Sequence, residues 1–300
     1  MRTMHKRTLF AVPVLAVAAA LALAGCVDNS TPSTTPSGDT TATKDASLAG
    51  LLPADVKSAG TITVGVDATY PPNEYKDDSG KPVGWDIELF NAVAAKLGVT
   101  ATYNVASFGT IIPSVQGGKY NVGLSSFTDN AEREKQVDFV NYFTAGVLWA
   151  SPKGKTVDPS NACGLKVAVQ ATTYEDTDEV PAKSKACVAA GKKAITNVKF
   201  DAQDQATQAV ILGQADAMSA DSPVTLYAIS KSGGKLQAAG DSFENAPYGV
   251  AIAKGSKLET AIQKAFQAII DDGTYKKILD KWGVTAGAVT EATINAGGKS

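Results

Sequence analysis

Few residues in this 300-residue chain can do acid–base, nucleophilic or metal chemistry. The chain has one histidine, His5, and three cysteines, Cys26, Cys163 and Cys187. Three cysteines do not by themselves complete a zinc site of four protein ligands, and His5 lies at the extreme N-terminus. The sequence therefore disfavours histidine-based catalysis and a His/Cys metal centre, and it predicts no metal and no cofactor.

The overall composition is that of a globular protein with room for two domains. Charged residues make up 19% and hydrophobic residues 44% of the chain. Lys and Arg number 28 and Asp and Glu 30, which gives a formal net charge of −2. A nucleic-acid-binding protein would show a basic excess, so we expect no nucleic-acid partner.

Residues 1–25 are typical of an export signal. Three basic residues, Arg2, Lys6 and Arg7, precede an apolar run from Leu9 to Leu23, which is shorter than the ~20 residues of a membrane span. The run ends in Leu-Ala-Gly-Cys26, which resembles the lipobox of bacterial lipoproteins. That resemblance implies cleavage before Cys26 and lipid attachment to it. The alternative is an ordinary secretory signal followed by a cysteine that occurs there by chance.

Cleavage before Cys26 changes both the charge and the cysteine count of the mature chain. Loss of three basic residues and no acidic residue takes the formal net charge from −2 to −5. Cys163 and Cys187 remain, and disulfides persist in oxidising compartments. We expect these two cysteines to form a disulfide; two free buried cysteines are the alternative.

The elements of the body alternate between strand and helix. Residues 26–57 are rich in Ser, Thr and Pro and predict a disordered tether. Thr61–Val66 then predicts a strand, Trp85–Leu97 a helix capped by Gly98, Phe108–Gln116 a short helix, and Asn121–Leu124 another strand. This alternation favours a largely parallel sheet covered by helices.

A second block repeats the alternation. Its predicted strands and helices, in chain order, are Leu165–Gln170, Ala202–Leu212, Ala217–Ala220 and Val224–Ser230. Two apolar runs between the blocks, Ala145–Ala150 and Tyr248–Ala253, are candidates for strands that cross from one domain to the other.

Four motifs in order carry a resemblance to a known family. They are Gly84–Leu89 (GWDIEL), Ile112–Gly118 (IPSVQGG), Glu132–Phe139 (EREKQVDF) and Gly273–Gly283 (GTYKKILDKWG). Together they resemble family 3 of the bacterial extracellular solute-binding proteins, over residues 58–284. The resemblance implies two α/β lobes joined by two crossover strands, the type II periplasmic binding protein fold, which closes on a ligand by hinge motion.

The family pattern sets the expected domain limits. We expect lobe 1 at residues 58–149 and 250–284, lobe 2 at 150–249, and a flexible tail at 285–300.

In lobe 1, the resemblance implies a binding site for the carboxylate of a free amino acid. Arg133 matches the family's arginine, whose guanidinium offers a two-pronged donor to a carboxylate. Ser125, Ser126 and Thr128 match the small or hydroxyl residues that precede this arginine.

In lobe 2, the resemblance implies the rest of the contacts to the amino acid backbone. Thr172 or Thr173 would complete the carboxylate site, and the departure from the family's glycine before the threonine leaves both open. Asp221 matches the family's aspartate for the α-ammonium group; a solvated helix-cap aspartate is the alternative.

The expected side-chain pocket is aromatic and acidic. Tyr70 and Phe108 match the family's aromatic walls, and Asp67 matches an acidic position that meets side-chain donors. Glu74 adds negative potential. No basic side chain is left over to pair with the carboxylates of this pocket, so the pocket favours a basic or amide ligand.

The predicted function is the extracytoplasmic substrate-binding component of an ABC importer. It implies a permease and its ATPase as partners, a lipid anchor at Cys26 in the cell membrane, and a single copy of the chain. One alternative is an enzyme on the same fold, such as a cyclohexadienyl dehydratase, which would need a general acid in the cleft. Another is a ligand-sensing module, because fold alone does not separate these roles.

Overall fold

A computed structural model describes residues 42–299. The expected signal at 1–25, Cys26 and the tether up to residue 41 lie outside the described residues. The α-helices are α1 Ala46–Ala49, α2 Ala54–Ala59, α3 Trp85–Leu97, α4 Phe108–Gln116, α5 Ala131–Glu134, α6 Val180–Ala189, α7 Gln203–Ile211, α8 Ser222–Lys231, α9 Leu258–Asp271 and α10 Thr274–Trp282. The strands are β1 Thr61–Val66, β2 Thr69–Tyr70, β3 Glu74–Lys76, β4 Pro82–Val83, β5 Thr100–Val105, β6 Val122–Thr128, β7 Val137–Pro152, β8 Lys166–Gln170, β9 Thr196–Phe200, β10 Ala217–Asp221, β11 Leu236–Ala253 and β12 Thr293–Ile294.

The main sheet confirms the expected fold of two α/β lobes joined by two crossover strands. Its strand order is β5-β1-β6-β11-β7-β10-β8-β9. Strand β1 runs parallel to β5 and β6 in lobe 1, and β8 runs parallel to β9 and β10 in lobe 2. Strands β7 and β11 pair with each other antiparallel and pass through both lobes.

The lobe boundary falls a few residues earlier along both crossover strands than the sequence predicts. Val147–Ala150 pair with β10 of lobe 2, although the sequence assigns residues up to 149 to lobe 1. On the return strand, Tyr248 already pairs with β6 of lobe 1. The pairing of Ala145 with Ala246 lies between these two points, so the chain changes lobes near residues 145 and 246.

Helix α3 shows how the local sequence builds lobe 1. Its bounds are those predicted, and Gly98 ends it in the left-handed conformation, with its N–H bonded to carbonyl groups of the last turn. Its apolar face packs into the lobe 1 core against α9, with Trp85, Phe90 and Phe266 fully buried. Lobe 2 has its own cores, on the two faces of its part of the sheet.

Both ends of the described chain pack on lobe 1, which differs from the expected tether and flexible tail. Leu52 and Val56 are buried in the lobe 1 core, so the ordered body begins before residue 58. At the other end, β12 pairs with β7, and the side chain of Gln263 donates to the carbonyl group of Ala292 over 2.8 Å. Main-chain hydrogen bonds therefore hold a segment whose small residues suggested disorder.

The predicted disulfide between Cys163 and Cys187 is present in lobe 2. It ties the segment before β8 to helix α6. No helix within residues 42–299 combines the length and the apolar character needed to cross a membrane.

Candidate functional site

The candidate site is a narrow cavity between the lobes, where strands of both lobes end. Asp67 follows β1, and Ser125, Ser126 and Thr128 lie in the last half of β6. Asp221 is the last residue of β10. Carboxyl ends of parallel strands are where open α/β sheets bind ligands. The residues that line the cavity are Asp67, Tyr70, Phe108, Ser125, Ser126, Thr128, Arg133, Gln170, Thr173, Tyr174, Glu175 and Asp221.

Arg133 is the cation of the cavity. It lies in the short helix α5, whose N-cap Asn130 accepts a hydrogen bond from the amide N–H of Arg133. The guanidinium donates to the carbonyl oxygens of Thr128 (2.8 Å) and Thr172 (3.2 Å) and contacts the aromatic ring of Phe108. Its side chain thereby joins lobe 1 to lobe 2.

The guanidinium of Arg133 remains available to an anion. Among residues 42–299 it forms no ion pair with a carboxylate. The residue is only 8% exposed, and burial lowers the pKa of Arg133, while Glu175 and Asp221 raise it. A buried cation bonded only to carbonyl groups is a strong binding position for a ligand carboxylate.

Tyr70 and Phe108 form two sides of the cavity. The Tyr70 hydroxyl donates to Asp221 Oδ2 over 3.0 Å, and the ring packs against the lobe 2 core. Phe108 stacks on Phe127 with a centroid distance of 4.6 Å. Both rings are thus fixed by neighbours, and their remaining surface borders the space between the lobes.

Asp67 is held at the base of the cavity by a set of donors. Its carboxylate accepts from the Thr69 hydroxyl (2.6 Å), the amide N–H of Phe108 (3.0 Å) and Gln170 Nε2 (3.1 Å). The Gln170 bond comes from lobe 2. Burial raises the pKa of Asp67, and these hydrogen bonds lower it.

Glu74 differs from its predicted place because it does not border the cavity. It is fully buried on β3, behind two of the predicted serines. The hydroxyl groups of Ser125 and Ser126 donate to it over 3.3 Å and 3.0 Å. Burial and the neighbouring carboxylate of Asp86 raise the pKa of Glu74 well above its usual range. Glu74 therefore orients two residues of the site from behind.

The two threonines of lobe 2 face different ways. Thr172 has a positive φ of 67° and its side chain lies against Gly109 of lobe 1. Thr173 is buried and lines the cavity, with its hydroxyl bonded to the carbonyl oxygen of Gln170. The geometry thus brings Thr173 to the site by its side chain and Thr172 only by its backbone.

Three lining residues were not predicted: Gln170, Tyr174 and Glu175. All three flank Thr172 and Thr173: Gln170 is the last residue of β8, and Tyr174 and Glu175 follow the threonines, with Glu175 at the start of a π-helical turn. The sequence offers one signal for Glu175, an acidic residue shortly after a strand that ends at the cleft, but this signal does not separate a buried cavity residue from an exposed one.

Acidic side chains outnumber basic ones among the residues that line the cavity. Asp67, Glu175 and Asp221 face it with Arg133 as the one cation among the lining residues. Burial raises the pKa of Glu175 and Asp221, and for Asp221 the nearby Glu175 is the next largest cause. The described residues contain no group of three or more His, Cys, Asp or Glu side chains that could hold a metal ion.

The fold and this cavity define a two-lobed solute-binding protein of type II. Residues 62–285 match the bacterial extracellular solute-binding proteins, family 3. The chain belongs to this family, as its four sequence motifs predicted.

Relatives and solved structures agree with this assignment. The chain is 39% identical over 283 residues to the arginine-binding protein ArgT of Corynebacterium glutamicum, which covers 93% of each protein. It resembles the structure of an ancestral arginine-binding protein bound to arginine, with a TM-score of 0.68, 36% identity, and coverage of 74% of this chain and 98% of that one. An ancestral arginine-binding protein bound to glutamine gives a TM-score of 0.67, 38% identity, and coverage of 75% and 98%.

The function predicted from the sequence is therefore confirmed. The protein is the extracytoplasmic substrate-binding component of an ABC importer, and it binds a free amino acid between its lobes. It is a binding protein rather than an enzyme, so the dehydratase alternative is not supported.

Proposed function

We propose that the amino acid is cationic, with arginine as the preferred ligand. The observation that carries the proposal is the charge of the cavity, where three carboxylates face one guanidinium. An amino acid carboxylate uses the charge of Arg133, and its ammonium group needs one carboxylate. Two of the three carboxylates are then left over, and a cationic side chain compensates one of them.

The proposed pose assigns each charged group of the ligand to a residue. Arg133 binds the carboxylate together with the backbone N–H of Thr173, since the Thr173 hydroxyl already donates to Gln170. Asp221 binds the ammonium group, and Asp67 binds the side-chain guanidinium. Tyr70 and Phe108 stack on the planar guanidinium or contact the methylene chain. The remaining predicted contacts, from Ser125, Ser126 and Thr128, supply hydroxyl or carbonyl groups around the ligand backbone.

A neutral amide ligand is the second candidate. Asp67 already accepts a hydrogen bond from the amide Nε2 of Gln170, so its carboxylate is suited to an amide donor. A solved relative was bound to glutamine. An acidic ligand is disfavoured because it would add a fourth carboxylate near Asp67.

Isothermal titration with arginine, citrulline, glutamine and glutamate tests the choice. Citrulline is the matched control, since it keeps the shape of arginine without the charge. We expect arginine to bind at least tenfold more tightly than citrulline, and glutamate to give no detectable heat. Tighter binding of glutamine or citrulline than of arginine would favour the amide reading instead.

We further propose that lipid on Cys26 anchors the protein to the membrane and that it acts as a single copy. The Leu-Ala-Gly-Cys26 motif supports the anchor, and the proposed ligand contacts all come from one chain. Cys26→Ala should move the protein from the membrane fraction to the medium or periplasm. Light scattering on the mature chain should give the monomer mass.

A further inference from the structure

Glu175 has one buried carboxylate oxygen without a hydrogen-bond donor in the described residues, although its own amide N–H and the Thr173 hydroxyl interact with the carboxylate and lower its pKa. It lies at the start of the π-helical turn Glu175–Glu179 and is 2% exposed. Its Oε1 is buried and has no hydrogen-bond partner among residues 42–299. A buried carboxylate oxygen without a donor is costly, which indicates that the donor comes from the ligand.

The surroundings of Glu175 indicate which part of the ligand supplies that donor. Glu175 lines the cavity together with Arg133 and Asp221. Arg133 lies near enough to lower the pKa of Glu175, and Glu175 raises that of Asp221. Asp67, the proposed contact of the ligand side chain, is held instead by the N-terminus of α4 and Gln170. Glu175 therefore belongs to the end of the cavity that receives the backbone of the amino acid.

We propose that Glu175 accepts a hydrogen bond from the α-ammonium group of the bound amino acid, alongside Asp221. An ammonium group has three donors, so two carboxylates can share it. The pair makes the site selective for a free amino group, and it explains why lobe 2 places two acids at one end of a small cavity.

The proposal rests on the proposed function only in its use of arginine as a probe. The variant is Glu175→Gln, which keeps the shape of the side chain and removes its charge. The matched control is Asp204→Asn, because Asp204 is an exposed carboxylate of lobe 2 outside the cavity lining. The titrated ligands are arginine, citrulline and 5-guanidinopentanoate, which is arginine without its amino group.

We expect Glu175→Gln to weaken arginine and citrulline alike, by about 10- to 150-fold, the range for a hydrogen bond to a charged group. Binding of 5-guanidinopentanoate should change by less than about twofold, and Asp204→Asn should leave all three affinities unchanged. A loss for arginine without a loss for citrulline would overturn the proposal, because Glu175 would then contact the side chain. Unchanged affinity for both would also overturn it.

A crystal structure of the wild-type complex, with whichever amino acid binds most tightly, gives a second test. The ammonium nitrogen should lie within hydrogen-bond distance of a Glu175 carboxylate oxygen, and a separation too long for that would overturn the proposal. The proposed function fails separately, when wild-type protein prefers citrulline to arginine. That result leaves the ammonium contact of Glu175 testable with citrulline.

Discussion

The hydroxyl group of Tyr70 and the carboxylate of Asp221 join the two lobes directly. The hydroxyl donates to Asp221 Oδ2 over 3.0 Å, and the amide N–H of Asp221 donates back to the hydroxyl oxygen over 3.3 Å. Tyr70 lies on β2 of lobe 1 and Asp221 ends β10 of lobe 2. An aromatic wall of the cavity and its proposed ammonium contact are thus one hydrogen-bonded unit.

Tyr70→Phe should weaken ligand binding because it removes this link but keeps the ring. A net hydrogen bond contributes about 0.5–1.5 kcal/mol, so we expect Kd for arginine to rise by about 2- to 12-fold. Titration calorimetry measures the change. Tyr227→Phe, on α8 and outside the cavity lining, is the control and should bind as wild type does. An unchanged Kd for Tyr70→Phe would show that the link contributes nothing to closure.

Arg133→Ala should remove most of the affinity for any amino acid. The charge-assisted bond to the ligand carboxylate contributes about 1.5–3 kcal/mol, and Arg133→Lys should restore only part of it because an ammonium group lacks the planar fork. Lys135→Ala is the control, since Lys135 is an exposed neighbour paired with Glu132. Wild-type affinity in Arg133→Ala would reject the assignment of this residue to the ligand.

Asp67→Asn should weaken arginine more than citrulline. The substitution removes the charge that compensates the ligand guanidinium, while the amide can still bind a neutral side chain. Because Asp67 also accepts hydrogen bonds from Thr69 and Phe108, circular dichroism must show that the variant folds. Asp78→Asn, at an exposed turn, is the control. Equal losses for the two ligands would exclude Asp67 as the residue that distinguishes their charge.

Glu179 makes the stability of the protein depend on pH. Burial and the nearby Glu175 raise the pKa of Glu179 from its ordinary value of 4.5 to about 8. Between these two values the unfolded chain loses the proton and the folded protein keeps it. The contribution of Glu179 to stability is therefore complete below about pH 4.5 and is lost as pH rises towards 8.

Glu179→Gln should flatten this dependence, because glutamine can still accept from Trp149 and meet the Ser219 hydroxyl. Urea unfolding of both proteins at pH 5 and pH 8 measures the effect. We expect the difference in free energy of unfolding between the two pH values to be smaller in the variant. An identical difference would mean that Glu179 ionises alike in the folded and unfolded chains.

The disulfide between Cys163 and Cys187 should stabilise lobe 2 without affecting the ligand. It closes a loop with a sequence separation of 24, for which chain entropy predicts roughly 3 kcal/mol. The double variant Cys163→Ala with Cys187→Ala should unfold at lower denaturant concentration. Its Kd for arginine should match that of wild type, since neither cysteine lines the cavity. A wild-type unfolding midpoint would contradict the expected contribution.

Elements whose signals are local could be predicted from the sequence. Helices α3 and α4 have the bounds that apolar spacing and following glycines indicate. Strand β7 was predicted only over Ala145–Ala150, because its full length depends on pairing with β11, about a hundred residues further along the chain. The contacts of residues 285–299 depend on the fold in the same way, since the amide N–H of Val289 bonds to the hydroxyl of Tyr275, which apolar patterning does not reveal.

The site residues also fall into two groups, those that the sequence predicts and those that only the folded chain reveals. The motif around Arg133 and the residues after the strands could be matched to the family, and the cavity collects nearly all of them. Glu74 could not be separated from the ligand contacts, because its place behind Ser125 and Ser126 depends on how β3 packs against β6. Glu175 was missed because burial and an unsatisfied oxygen are properties of the folded chain only.

Lobe 2 begins and ends at one point of lobe 1, because Ala145 and Ala246 are partners on paired strands. Residues 146–245 are therefore an insertion with adjacent ends, which two junctions suffice to graft into a relative. Asp221 and Glu175 would move with the graft, whereas Arg133 would remain with the recipient. Such a chimera takes its carboxylate contact from one parent and its proposed ammonium contacts from the other.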